Sequence, residues 1–175
     1  MDTKTKLISA AEHLFDRHGF TATGMDRLTQ AASMSSRTLY KHAGSKTALI
    51  TEVLGARHLR FQQSIEVNSV DALFGALEKW VQTESCRGCL FLRAYGETGG
   101  DTPEVTEAVM AHKSWLYEKI QEIIFIEAGG KHNPELAEQI LILFEGATAA
   151  AVYRGAESIT SARNAASVLI QQARS

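Results

Sequence analysis

The sequence predicts an all-α protein in which a small N-terminal helical domain is joined by one continuous helix to a larger helical domain. Three observations carry this prediction. Apolar residues recur at spacings of three and four through most of the chain, and no convincing period-two strand interrupts them. Ser, Thr or Asn stands ahead of these apolar runs and Gly behind them, which is the punctuation of helix starts and stops. Only two prolines occur, Pro103 and Pro134, and both stand where a helix is due to begin.

The elements follow in order. The first helix reads from Thr3 to His18, with Leu7, Ala11, Leu14 and Phe15 on its apolar face and Gly19 placed to end it. The second starts near Thr23, whose hydroxyl is positioned as a cap while Asp26 favours the positive helix end. Met25, Leu28 and Ala32 give its inner face, and Ser33-Met34-Ser35 makes a short break. A third helix runs from Ser36 to His42 with Ser35 as its N-cap; Ala43-Gly44 closes it and Ser45 caps a fourth. That fourth helix carries the stripe Leu49, Ile50, Val53, Leu54, Arg57, Phe61 and Ile65, with Gly55 its one weak point. At 1.5 Å per residue, its roughly 20 residues make a rigid connector about 30 Å long. Further helices are expected at about 70–84 and 86–97. Thr102-Pro103 opens a long one bearing Val105, Val109, Leu116, Ile120, Ile123 and Ile124 before Gly129-Gly130 stops it. Asn133-Pro134-Glu135 starts the next, through about Tyr153, and a last helix is expected at about 160–173. No internal repeat or low-complexity segment is evident.

Composition narrows the class. A chain of 175 residues, 45 % hydrophobic and 22 % charged, is long and apolar enough to bury a core. No stretch approaches the roughly 20 apolar residues of a membrane span, and no secretory leader is recognised, so a soluble cytoplasmic protein without membrane partners is the expectation. The net charge of −2 is unevenly spread. Residues 1–50 hold seven basic side chains against four acidic ones, and the remainder eleven against sixteen. A basic head on an acidic body suits a polyanionic partner bound at one end.

Two short helices joined by a tight break, with another helix before them, form a helix-turn-helix. In such a unit the second helix enters the DNA major groove and the first crosses the backbone. The recognition segment Ser36-Arg37-Thr38-Leu39-Tyr40-Lys41-His42 has only Leu39 to bury, and its other side chains can donate hydrogen bonds. Arg37 is suited to gripping a guanine edge, while Ser36, Thr38 and His42 suit bases or phosphates. Tyr40 offers a ring to pack and a hydroxyl to a phosphate. Ser45-Lys46 sets backbone N–H groups and a cation at a helix start, an anion site in waiting. Taken alone, the same stretch reads more readily as a solvated polar helix, and it is the surrounding arrangement that reverses this reading.

The segment from Gly19-Phe20 and Thr23, through Leu28, Ala32 and Met34-Ser35, to Thr38-Leu39-Tyr40-Lys41-His42, Ser45-Lys46 and Leu49 resembles the DNA-binding signature of the TetR/AcrR family of regulators. The resemblance implies that Thr23 begins the helix lying on the DNA backbone and that Ser36, Arg37 and Thr38 open the recognition helix. It further implies that Tyr40 and His42 contact phosphate or base and that Lys46 holds a phosphate. Ser35, Lys41 and Ser45 complete the DNA-binding set. Three departures stand out: Gly24 where Ser or Thr is usual, Ser33 for a turn glycine, and Ala43 for an aromatic. Arg87-Gly88-Cys89-Leu90-Phe91-Leu92 is similar to a segment of many AcrR-like members. The family further implies a homodimer, an operator of double-stranded DNA, and repression relieved by a small-molecule effector held in the body. The domains so expected are 1–48 for DNA binding and 49–175 for effector binding and dimerisation.

In the body, Trp80, Tyr95, His112, Trp115, Leu116, Phe144 and Tyr153 are the candidate effector-pocket residues; the alternative is ordinary core packing, with His112 a satisfied core histidine. Glu145 is a carboxylate inside the apolar run Ile140–Val152, suited either to a pocket or to a dimer edge. That run is apolar nearly all round its helix and so requires burial on both sides, as a two-fold bundle with the last helix would supply. Cys86-x-x-Cys89 lacks further metal ligands at workable spacing and a βαβ context; if helical, its thiols share one face as a redox-sensing pair would, but buried or idle cysteines without an oxidant response are expected. No catalytic constellation, metal site or cofactor motif is found. The competing classes are a helical dimeric small-molecule-binding protein with weakened or lost DNA recognition and, with nothing in its favour, a helical enzyme.

Overall fold

The computed structural model describes residues 2–175, which form nine α-helices and no strand. Helix α1 spans Thr3–His18, α2 Met25–Ala32, α3 Ser36–Ala43, α4 Lys46–Ser64, α5 Val70–Thr83, α6 Leu90–Glu97, α7 Pro103–Glu127, α8 Pro134–Arg154 and α9 Ala156–Arg174. The helices group into two compact units. One comprises the residues up to Arg60 with Leu90–His112, and the other comprises Phe61–Cys89 with Lys113–Ser175. Helices α4 and α7 therefore each give residues to both units.

Local chemistry sets most of the boundaries. Asp2 caps α1 by accepting from the Thr5 N–H at 2.7 Å, and that bond holds its carboxyl below the usual carboxylate range. Ser35 accepts from Thr38 N–H to start α3, Ser45 from Ala48 N–H to start α4, and Asn133 from Leu136 N–H to start α8. Pro134 follows its cap directly at the first helical position.

Four expectations are corrected. Helix α2 begins at Met25, and Gly24 occupies its N-cap without a side-chain bond. The Thr23 hydroxyl instead donates to the Gly19 carbonyl at 2.7 Å, bracing the loop between α1 and α2. Helix α6 begins at Leu90, so Cys86 to Cys89 are not helical and their thiols do not share a helix face. Gly88, at φ 81°, sits in the left-handed region that resists helix. The last helix starts at Ala156, directly after Gly155 at φ 67°, rather than near 160. Finally, α8 is long and apolar enough to cross a membrane by length and composition alone, against the expectation that no stretch is. One side of it is core: Leu136, Ala137, Ile140, Phe144, Ala147 and Ala151 are buried.

In the first unit, Leu7, Leu14, Phe15, Phe20, Leu28, Leu39, Leu49 and Val53 are buried, and Phe15 stacks on Phe20 at 4.8 Å. The second unit is built on Phe61, Leu73, Phe74, Leu77, Ile120, Ile123, Ile140 and Phe144, with α8 packed along α9 and α5 against both.

Candidate nucleic-acid interface

Helix α3 is divided cleanly between anchor and presentation. Leu39 and Ala43 are buried, whereas Ser36, Arg37, Tyr40 and Lys41 are exposed and Thr38 and His42 are half-buried. Tyr40 keeps half of its surface in solvent, which is unusual for a large ring with a core nearby. Ser35 is committed to the helix start, and its hydroxyl also meets the Thr38 hydroxyl at 2.9 Å. Ala43 is buried in place of a larger ring, so the small side chain still closes this end of α3.

The turn that aims α3 is made by Ser33, the only non-glycine at positive φ among the described residues, at φ 52° and ψ 49°. Its N–H donates to Gln30 O and that of Met34 to Thr29 O, both at 3.1 Å, closing the end of α2. A serine there carries the left-handed strain that glycine would avoid.

Of the ten expected DNA-binding residues, eight lie on α3 or within the short segments at its two ends. Ser45 is exposed at the start of α4, and Lys46 is half-buried as its first residue. Burial pulls Lys46 below the ordinary lysine value of 10.5, partly offset by the nearby Glu97 charge. Thr23 is fully buried, so its part here is to shape the loop.

Sequence reasoning missed the charged side chains that hold this surface. Glu12 on α1 accepts from Arg57 at 3.0 Å and Arg60 at 2.6 Å, and the Glu12 and Arg57 side chains are only 12 % and 5 % exposed. Arg93 on α6 donates to the Asp16 carbonyl at 2.8 Å and the Phe15 carbonyl at 3.3 Å, closing the C-terminal end of α1. Glu97 accepts from the Thr21 N–H at 2.8 Å. A Cβ at Gly19 would stand 2.8 Å from that carboxylate and push it off the Thr21 N–H, while the φ of 88° itself favours glycine. The one available signal was Arg57 within an apolar stripe, which demands a buried acid.

The effector-pocket candidates divide. Phe61 gathers Trp80 at 5.1 Å, Trp115 at 6.2 Å and Phe144 at 6.3 Å, and Leu116 is buried in the same core. His112 belongs to the first unit, stacked flat on Phe91 at 3.6 Å and joined to His58 by an Nδ1–Nδ1 contact of 2.9 Å. Tyr95 is exposed on α6, and Tyr153 is 79 % exposed on α8. A polar cleft lined by Asp71, Glu127, Arg163 and Arg174 includes none of them. Among the described residues no group of three or more His, Cys, Asp or Glu is placed to hold a metal.

Residues 7–53 match the model of the family described as bacterial regulatory proteins, tetR family. The transcriptional regulator UidR of Escherichia coli is 35 % identical over 52 residues, and its counterpart in Shigella flexneri matches equally. These alignments cover 30 % of this chain and 26 % of the relatives, so the chain is matched to about a quarter of their length. The solved structure of SCO4454, a TetR-family transcriptional regulator from Streptomyces coelicolor, superposes with a TM-score of 0.90 at 21 % identity, covering 99 % of this chain and 96 % of that one. The reduced form of NemR from Escherichia coli gives a TM-score of 0.77 at 20 % identity, covering 95 % of each chain. Residues 7–53 therefore carry the tetR-family DNA-binding head, and the fold of the whole chain is that of the TetR-family structures on which it superposes.

Proposed function

We propose that this chain is a cytoplasmic, sequence-specific repressor that binds a pseudo-palindromic operator as a homodimer and releases it when a small molecule enters the body. The observation that carries the reading is the surface of α3, which spends only Leu39 and Ala43 on the core and leaves Arg37, Tyr40 and Lys41 in solvent. Residues 1–48 form the DNA-binding part and 49–175 the effector and dimerisation part. Arg37 reads a base edge, while Lys46 and the α4 start hold a phosphate. Support for an effector site comes from the aromatic set around Phe61. The unbroken α4, about 28 Å long at 1.5 Å per residue, is the coupling element.

Support for the dimer comes from the second face of α8. Ile142, Gly146, Ala149, Val152 and Tyr153 recur at helical spacing and are exposed, as are Ala165 and Val168 on α9. Apolar surface in such a stripe is covered by a second copy in a two-fold four-helix bundle. Binding-site selection from random duplexes, followed by fluorescence anisotropy over a salt series, tests the DNA reading. The expected result is one enriched palindrome whose affinity falls linearly on a log–log salt plot. Failure to enrich any sequence would overturn it. Sedimentation tests the dimer: Ile142→Glu should shift the protein to monomer, and an unshifted dimer would place the interface elsewhere.

A further inference from the structure

One group of side chains in the second unit has no part in the reading above: Cys86, Cys89, Lys113 and Glu145. The Lys113 ammonium donates to Cys89 Sγ at 3.3 Å and to the Glu145 carboxylate at 2.6 Å. Cys86, three residues away, does the reverse and donates its own proton to the Ala151 carbonyl at 3.0 Å. One sulfur is therefore an acceptor facing a cation, and the other is a donor to a carbonyl. Lys113 holds its proton above the ordinary lysine value of 10.5; burial pulls it down, and the charges of Cys89 and Glu145 raise it by more. Exposure runs the other way, for Cys86 is exposed and Cys89 half-buried.

We propose that Cys89 is a modification site, a nucleophilic thiol that small soft electrophiles alkylate, with the Lys113 ammonium held against its sulfur and Glu145 fixing that ammonium. Thiolates, not thiols, are the attacking species, and a neighbouring ammonium is one of the arrangements that populate them. With an activated alkene, sulfur forms a bond to the β-carbon, the alkene π bond breaks, and the α-carbon takes a proton from solvent. With a haloacetamide, the S–C bond forms as the carbon–halogen bond breaks and halide leaves. Neither step needs an oxidant. The thioether product carries no charge to hold Lys113, which keeps only Glu145. Cys89 immediately precedes α6, the helix bearing Arg93 and Glu97, so the adduct sits next in sequence to the residues that grip the head. A consequence for DNA binding rests on the regulator reading; the modification itself does not.

The test uses the full chain as Cys86→Ser, leaving Cys89, and as Cys89→Ser, leaving Cys86, with iodoacetamide at neutral pH and adducts followed by mass spectrometry. Cys89 should react faster than the more exposed Cys86, by on the order of tenfold. Lys113→Met should remove that advantage, Lys113→Arg should retain it, and Glu145→Gln should increase the Cys89 rate by freeing the ammonium for sulfur. Cys86 reacting as fast as Cys89 would overturn the proposal, as would a Cys89 rate indifferent to Lys113→Met in a folded protein. Should Lys113→Met fail to fold, Glu145→Gln decides: a rise supports the site, and an unchanged or lower rate overturns it. Duplex binding measured after alkylation separately reports whether the site feeds the head.

Discussion

Each unit has its own apolar core and its own long-range charged pairs, and the two differ in which of these lies most deeply inside. In the first, charged side chains bind across long stretches of sequence: Glu12 to Arg57 and Arg60, Arg93 to the end of α1, Glu97 to the Thr21 N–H. In the second, the centre is aromatic and aliphatic, with Phe61, Phe74, Trp80, Trp115 and Phe144 meeting edge to face or tilted. Directional bonds fix an orientation and fail when one partner leaves. Apolar packing is non-directional and tolerates change so long as volume is kept. A surface that must be held at one angle needs the first kind of support, and a core of rings is served by the second.

The largest expected effect lies in the body. Phe61→Ala should cost roughly 3–5 kcal/mol of stability by opening a cavity among the rings, measured by urea unfolding. Phe61→Leu should cost much less, and equal losses for the two would show that packing volume is not what Phe61 supplies. Glu12→Ala sharpens the contrast from the other side. Removing Glu12 takes the acid out of a buried pair with Arg57, at a cost of about 3–5 kcal/mol. Replacing both, as Glu12→Leu with Arg57→Met, should restore most of the stability. If the double replacement is as damaged as the single one, the pair holds the unit together rather than orienting it.

Much of the head was legible because its signals are local. Asp2, Ser35 and Ser45 act within three residues of themselves, and Gly19 and Gly44 stop helices where they stand. Thr23 misled because a hydroxyl before a helix can equally bond backward, here to the Gly19 carbonyl. The body was less legible for the same reason in reverse. Its candidate residues were picked by type and helix face, but whether Trp80 meets Trp115 or His112 depends on partners more than thirty residues away. The Lys113–Cys89 contact spans 24 residues and no periodicity announces it.

Smaller effects separate the units further. Ser33→Gly should stabilise the protein by about 1 kcal/mol, because glycine adopts φ 52° without left-handed strain. A destabilised Ser33→Gly would mean the serine side chain contributes more than its backbone costs. Acid should weaken the first unit selectively. Burial holds His58 below the ordinary histidine value of 6.5, so the unfolded chain binds its proton first. Stability should therefore be full above pH 6.5 and decline as pH falls below it, a slope that His58→Phe should flatten. Hydrogen exchange read at α1 to α3 and at α8 to α9 would show which unit loosens.

The most direct test of the account compares Arg37→Ala and Lys46→Ala on the selected operator and on a scrambled duplex across a salt series. Arg37→Ala should lose roughly 1–3 kcal/mol on the operator only, narrowing the preference for it. Lys46→Ala should weaken both duplexes alike and flatten the salt slope by about one unit. If both folded variants bind both duplexes as the parent does, with unchanged slopes, α3 and the start of α4 are not the DNA-binding surface.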